Sequence, residues 1–225
     1  MKLANPVLAC LLLSAILIVP LLSSCDSMPA GEEQPNILLV LIDDCSADEL
    51  SCYGNTEHHT PVLDRLAEEG ARFETCWATP LCSPSRALIL TGRYGFRTGW
   101  YANKMKKSIP LPEENIIFAQ LLQDAGYRTA VAGKWQLPGL PPEYGFQQWS
   151  LWAYRSMLPE GVEHPGVETL DSTKYNFMKP ARFWHPSVIQ NGEYLPTTVD
   201  DYAPDVHTDF LIDFMTRDSN QPFMA

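Results

Sequence analysis

The sequence predicts an α/β fold, a mostly parallel sheet flanked by helices. Three observations predict it: an unbroken apolar run at residues 37–42, later segments with one apolar helical face, and short strand-like runs between those segments. Composition agrees. Of 225 residues 45% are hydrophobic and 19% charged, which supplies a real core and excludes collagen-like, coiled-coil and highly charged disordered chains. The formal net charge of −11 gives no general reason to bind nucleic acid, so an anionic substrate must be held by a few local cations.

Residues 8–22 are almost wholly apolar, follow Lys2 and end in Leu22-Ser23-Ser24-Cys25. A comfortable membrane span needs roughly 20 residues, so this run suits the apolar part of an export signal instead. Its last four residues resemble the lipobox of bacterial lipoproteins. That resemblance implies a signal peptide over 1–24, lipidation at Cys25, and an exported product anchored to a membrane in the periplasm or at the cell surface. Residues 25–35 are polar, aperiodic and carry proline and glycine, which reads as a tether before a folded region at 36–225.

Within that region Ile37, Leu38, Leu39, Val40, Leu41 and Ile42 show no alternation, as expected of a parallel strand covered on both faces, and Asp43 and Asp44 follow directly. A helix comes next, with Thr60 as N-cap, Pro61 at its first position, Val62, Leu63, Leu66 and Ala67 on one face, and Gly70 as its stop. Residues 72–77 read as a strand. Cys82-Ser83-Pro84-Ser85-Arg86 leads into a helical run closed by Thr91-Gly92. Ile117, Leu121, Leu122 and Ala125 mark another helix, ending at Gly126, and 127–132 a strand running into Gly133-Lys134-Trp135. Residues 138–196, rich in proline and aromatic residues and without lasting periodicity, read as active-site loops or an insertion. Val206, Phe210, Leu211, Phe214 and Met215 share one helix face. Residues 221–225 read as the opening of a strand, so the sheet looks incomplete at the C-terminus.

Paired aspartates after a buried strand sit where open α/β sheets place ligands, and their repulsion can be relieved by a divalent cation, Ca²⁺ or Mg²⁺ for an oxygen-only set. Helix capping is the alternative use. Cys82 lies at the start of a helix, where free backbone N–H groups favour a reactive side chain and a tetrahedral anion. Cys45, Cys52 and Cys76 read as small buried hydrophobes, with pairing among them left open.

Cys82-Ser83-Pro84-Ser85-Arg86, followed by Ala87-Leu88-Ile89-Leu90-Thr91-Gly92-Arg93, resembles the signature of type I sulfatases in the alkaline phosphatase superfamily. Residues 36–44, the Thr60 to Ala67 helix with Gly70 and Phe73, and Ala125-Gly126-Tyr127 leading to Gly133-Lys134-Trp135 follow in the family's order. The likeness is strong over 35–148 and looser over 196–225. It implies a sulfuric ester hydrolase whose Cys82 is converted to formylglycine by a maturation enzyme. It further implies Asp43, Asp44 and residue 82 as ligands of Ca²⁺, with Mg²⁺ the other choice, and catalytic roles for Cys82, Arg86 and Lys134. Lys134 would hold a sulfate oxygen. Gln136, which also faces substrate by this reading, stands where the family usually has histidine and cannot gain a proton near neutral pH.

The family's second metal-ligand pair, a further histidine and a second lysine are not matched, so the chain reads as the N-terminal part of a catalytic domain. His58, His59, His164, His185 and His207 read as surface or loop residues. The implied substrate is a sulfated small molecule or glycan, with carbohydrate favoured by the aromatic stretch holding Trp149, Trp152, Tyr154 and Trp184; packing is an equal use for those rings. Two other readings stand beside this one: a phosphonate or phosphodiester hydrolase of the same superfamily, and an inactive truncated lipoprotein.

Overall fold

The strand Arg128–Gly133 organises the sheet, because Thr129 and Ala130 at its heart are fully buried and its two sides take different partners. In this computed structural model the described residues are 34–103, 111, 115–153, 157–162, 169–170, 179–180, 183–217 and 220–225. The export segment, Cys25, Tyr154 and His164 lie outside them. In chain order they form helices Pro61–Glu69 (α1), Cys82–Thr91 (α2), Gly95–Thr98 (α3), Phe118–Asp124 (α4) and Ala203–Thr216 (α5). The strands are Arg128–Gly133 (β1), Gln148–Trp152 (β2), Thr169–Leu170 (β3), Lys179–Pro180 (β4), Val188–Gln190 (β5), Glu193–Leu195 (β6) and Phe223–Met224 (β7). Pro35–Ala225 makes one compact unit. Among the described residues no helix is long and apolar enough to cross a membrane.

The main sheet has the order β6-β5-β2-β1-β7. β1 runs parallel to β2, with Ala130 opposite Gln148, and parallel to β7, with Arg128 opposite Phe223. The outer strands reverse: β2 with β5 and β5 with β6 are antiparallel. The sheet is therefore mixed rather than mostly parallel, and helices flank it as the sequence predicts. A separate antiparallel pair joins β3 and β4.

Alternation along β1 divides the core between two faces. Ala130 faces Phe214 of α5, and Arg128 donates to the Phe214 carbonyl at 2.9 Å while its guanidinium lies 4.8 Å from the Phe214 ring. The opposite face is covered by α2 and α4 through Ala87, Leu90 and Ala119, together with Trp135, Tyr144 and Phe146. Trp135 meets Tyr144 edge-on at 4.9 Å and Phe146 at 5.9 Å between ring centroids, the offset that the ring quadrupoles favour. Burial pushes the Tyr144 phenol well above its ordinary pKa, and its hydroxyl donates to the Pro138 carbonyl at 2.8 Å.

Several expectations change. Residues 138–196 supply three strands of the main sheet rather than loops alone, because Ser150, which breaks their apolar pattern, is fully buried and paired with His207. Of the two uses open to the aromatic rings, Trp149 takes packing in the core, and Trp184 packs on Tyr202 at 4.8 Å. His207 is buried in α5, not at the surface; desolvation pushes its pKa down to about 4. His58 and His59 are exposed, as expected.

Residues 37–42 do lie parallel to β7, with Ile37 N donating to Phe223 O and Leu39 N to Ala225 O, each at 2.8 Å. They do not form a covered strand. The ladder reaches only Leu39, and Leu38 and Val40 are 54% and 69% exposed because no element among the described residues packs over them. Residues 72–77 form no strand either: Phe73 and Trp77 find no apolar face and stand exposed. Helix α1 forms, yet Val62 and Leu66 are exposed too. The Thr60 side chain makes no cap bond; its hydroxyl pairs with Ser51 at 2.6 Å and donates to Asp64 at 3.3 Å. Cys45, Cys52, Cys76 and Cys82 are all free thiols, and Cys45 and Cys76 are exposed rather than buried.

Candidate functional site

The site forms where the carboxyl end of β1 meets the first two turns of α2. β1 ends at Gly133, whose φ of 97° needs a residue without a side chain, and the backbone turns into Lys134, Trp135 and Gln136. Helix α2 starts with Cys82, because Leu81 is still extended and Pro84 has the fixed φ of a first turn. It stops at Gly92, where φ is 64° and the N–H returns to the Leu88 carbonyl at 2.8 Å.

Two hydrogen bonds clasp α2 onto the loop after β1. The buried Ser83 hydroxyl donates to the Gln136 carbonyl at 2.8 Å, and Arg86 donates from Nη1 to the Lys134 carbonyl at 2.6 Å. Gln136 is thereby held at a φ of 58°, a region that a non-glycine residue enters at a cost of roughly 1–2 kcal/mol.

The clasp sends two cations to one carboxylate. Lys134 Nζ donates to Asp43 Oδ2, and Arg86 Nη2 lies 3.6 Å from Asp43 Oδ1. Burial would raise the Asp43 carboxyl, but Lys134 and Arg86 outweigh it and hold the pKa below the ordinary value. These three residues border a cavity of about 240 Å³ walled by Leu39, Leu41, Ile89, Leu90 and Phe118. Two cations against one carboxylate leave a net positive charge at its edge. Arg86 is partly buried, and its Nε, itself shielded from solvent, has no hydrogen-bond partner among the described residues.

Cys82 is half-buried on the same helix. Its Sγ donates to Asn103 Oδ1 at 3.6 Å, and the Ser83 N–H reaches the same oxygen at 3.2 Å. The structure thus brings Asp43, Arg86 and Lys134 into direct contact and ties Cys82 to Gln136 through Ser83. Asp44 is exposed, at a φ of 57°. Sequence reasoning missed Ser83, which sits inside the Cys82 motif and could have been suspected. It also missed Asn103, which no spacing signals.

The residues present do not fit a resident divalent cation. Among the described residues no three His, Cys, Asp or Glu side chains converge, and the Asp43 carboxylate is already occupied by two cations. Ca²⁺ takes six to eight oxygens, far more than Asp43 and Asp44 offer.

A mixed sheet with an anion-directed cluster at the carboxyl end of its central strand defines an α/β protein of the ligand-binding class. The sulfatase family model matches residues 35–225, and the chain belongs to that family. It is 34% identical over 206 residues to N-acetylglucosamine-6-O-sulfatase of Bacteroides thetaiotaomicron, covering 90% of this chain and 31% of that protein. It is 44% identical over 123 residues to human Arylsulfatase D, covering 51% of this chain and 21% of the relative. Among solved structures, BT4656 in complex with its substrate D-glucosamine-2-N,6-O-disulfate aligns with a TM-score of 0.65 at 33% identity, over 85% of this chain and 33% of that one. The chain spans about a third of the length of BT4656 and of the Bacteroides relative, and less of the human one.

Proposed function

We propose that this chain carries the nucleophile of a hydrolase of sulfate monoesters acting on sulfated carbohydrate. One observation carries the reading: Arg86, on the helix whose first residue is Cys82, and Lys134, just beyond β1, stand together at one cavity edge. A tetrahedral sulfate ester, which carries one negative charge, matches this arrangement, with Lys134 and the Arg86 guanidinium as the cations beside it. Cys82 is free and half-buried, within reach of a maturation enzyme that converts it to formylglycine. The hydrated aldehyde would supply one hydroxyl that attacks sulfur as the alcohol leaves, and a second whose deprotonation would re-form the carbonyl and expel sulfate.

The chain's own residues orient that chemistry. Lys134 and Arg86 hold the sulfate oxygens, and their mutual tie fixes the distance between the two charges. Gln136 offers hydrogen bonds but no proton near neutral pH. Asp43 and Asp44 alone are too few oxygens to hold the Ca²⁺ or Mg²⁺ that the family uses. Support for a carbohydrate comes from the Bacteroides relative, named for N-acetylglucosamine 6-O-sulfate, and from the disulfated glucosamine bound by BT4656. The apolar residues 8–22 and Cys25 support export and a lipid anchor on a membrane.

The test is a mass spectrum of tryptic residues 73–86 from native material, together with sulfate release from 6-O-sulfated N-acetylglucosamine. An aldehyde at position 82 and loss of release in Cys82→Ala are expected. Undiminished release by Cys82→Ala would overturn the reading.

A further inference from the structure

Helix α2 begins without a side-chain cap of its own. Leu81, in the capping position, has no side-chain acceptor, and the first backbone N–H groups of any α-helix need partners from outside. The partner here comes from far along the chain. Asn103 Oδ1 accepts the Ser83 N–H at 3.2 Å, and the same oxygen takes the Cys82 Sγ–H at 3.6 Å.

We propose that Asn103 is a positioning residue for position 82, its side-chain carbonyl capping α2 and fixing the direction of the residue 82 side chain. The inference rests on the reading of position 82 as the nucleophile, and it concerns a residue that the Cys82 motif does not contain.

The geometry gives the reason. An acceptor shared by the Ser83 N–H and the Cys82 side chain couples the helix backbone to the rotamer of residue 82. Ser83 is simultaneously tied on its other side, through its hydroxyl, to the Gln136 carbonyl. Residue 82 is thus bracketed: its own side chain is aimed by Asn103, and the next residue is anchored to the loop that carries Lys134. An amide oxygen accepts weakly from a thiol and more strongly from a hydroxyl, so the same atom serves the cysteine and the hydrate that would follow its conversion.

The test uses the thiol form first. The chain is produced without a maturation enzyme and treated with iodoacetamide, and modification at Cys82 is compared with modification at the exposed Cys76 on the same tryptic peptide. Asn103→Ala is expected to change the Cys82-to-Cys76 rate ratio at least threefold, and Asn103→Asp, which keeps an acceptor oxygen, to restore it. Asn103→Leu, equal in shape and lacking an acceptor, gives the same reading should the alanine chain not fold. An unchanged ratio in the folded acceptor-less variant overturns the proposal. In aldehyde-bearing enzyme Asn103→Ala is expected to lower kcat about tenfold with KM within twofold; a loss confined to KM also overturns it. The alkylation result does not depend on hydrolysis, so a failure of the sulfatase reading and a failure of the Asn103 role are told apart.

Discussion

Arg86 donates from Nη1 to the Lys134 carbonyl at 2.6 Å, so a cation on α2 and a cation beyond β1 reach Asp43 as one unit. Neither charge depends on a flexible surface side chain alone. Arg86 is 14% exposed and Lys134 19%, which keeps both less screened than ordinary surface cations.

Lys134→Ala is expected to raise the titration midpoint of Asp43. In the parent, burial raises this carboxyl and Lys134 with Arg86 lowers it further than burial raises it. A depressed carboxylate stabilises the fold above its unfolded pKa, and the contribution fades as pH falls through the lowered folded value. The carbon-13 shift of the Asp43 carboxyl reports the midpoint directly. A midpoint that stays put in Lys134→Ala would show that the contact does not govern the charge.

This chain is expected to bind Ca²⁺ with a Kd of about 1 mM or weaker, measured by isothermal calorimetry, because two carboxylates are a thin oxygen shell and one is already paired with cations. Tight, micromolar binding would mean that other oxygens converge on Asp43 and Asp44.

Acid is expected to loosen α5 from the sheet. His207 Nδ1 pairs with Ser150 Oγ at 2.9 Å, and desolvation lowers its pKa to about 4 from 6.5. The unfolded chain binds the proton first, so stability is full above the unfolded pKa and declines from pH 6.5 toward pH 4. The total loss is about 3 kcal/mol by linkage. Urea midpoints from pH 7.5 to 4.5, compared with His207→Gln, check this; equal slopes for the two chains would exclude His207 as the cause.

Phe214→Ala is expected to cost about 3–5 kcal/mol in urea unfolding. The ring is fully buried, lies under the Arg128 guanidinium and meets Phe223 at 6.2 Å between centroids. Its loss leaves a cavity in the interface between α5 and β1, where Phe210, Leu211 and Met215 also pack, so a change below 1 kcal/mol would show that this face of the sheet repacks.

The elements legible in the sequence are those whose signals are local. Gly126 stops α4 and the apolar residues after it become β1; Pro84 and Gly92 frame α2; and the Cys82 motif marks the helix that carries the site. Strand β2 escaped because Ser150 interrupts its apolar run, and the histidine that makes burial of that serine tolerable is 57 residues away. Asn103 escaped for the same reason, lying 21 residues from the thiol it meets. Residues 37–42 were legible as extended chain beside a parallel neighbour, but their apolarity alone does not say whether anything covers them. Lys134 was legible as a cation at a strand end. Its grip on Asp43 depends on the loop conformation that Ser83 and Arg86 impose.

The uncovered segment after Leu39 has a practical consequence. Val40, Leu41 and Ile42 present an oily ribbon whose amides find no backbone partner among the described residues, the kind of seam along which strands add edge to edge. Purified material will then show light scattering that climbs steeply with concentration and a need for mild detergent, and charged substitutions at Val40 will suppress both.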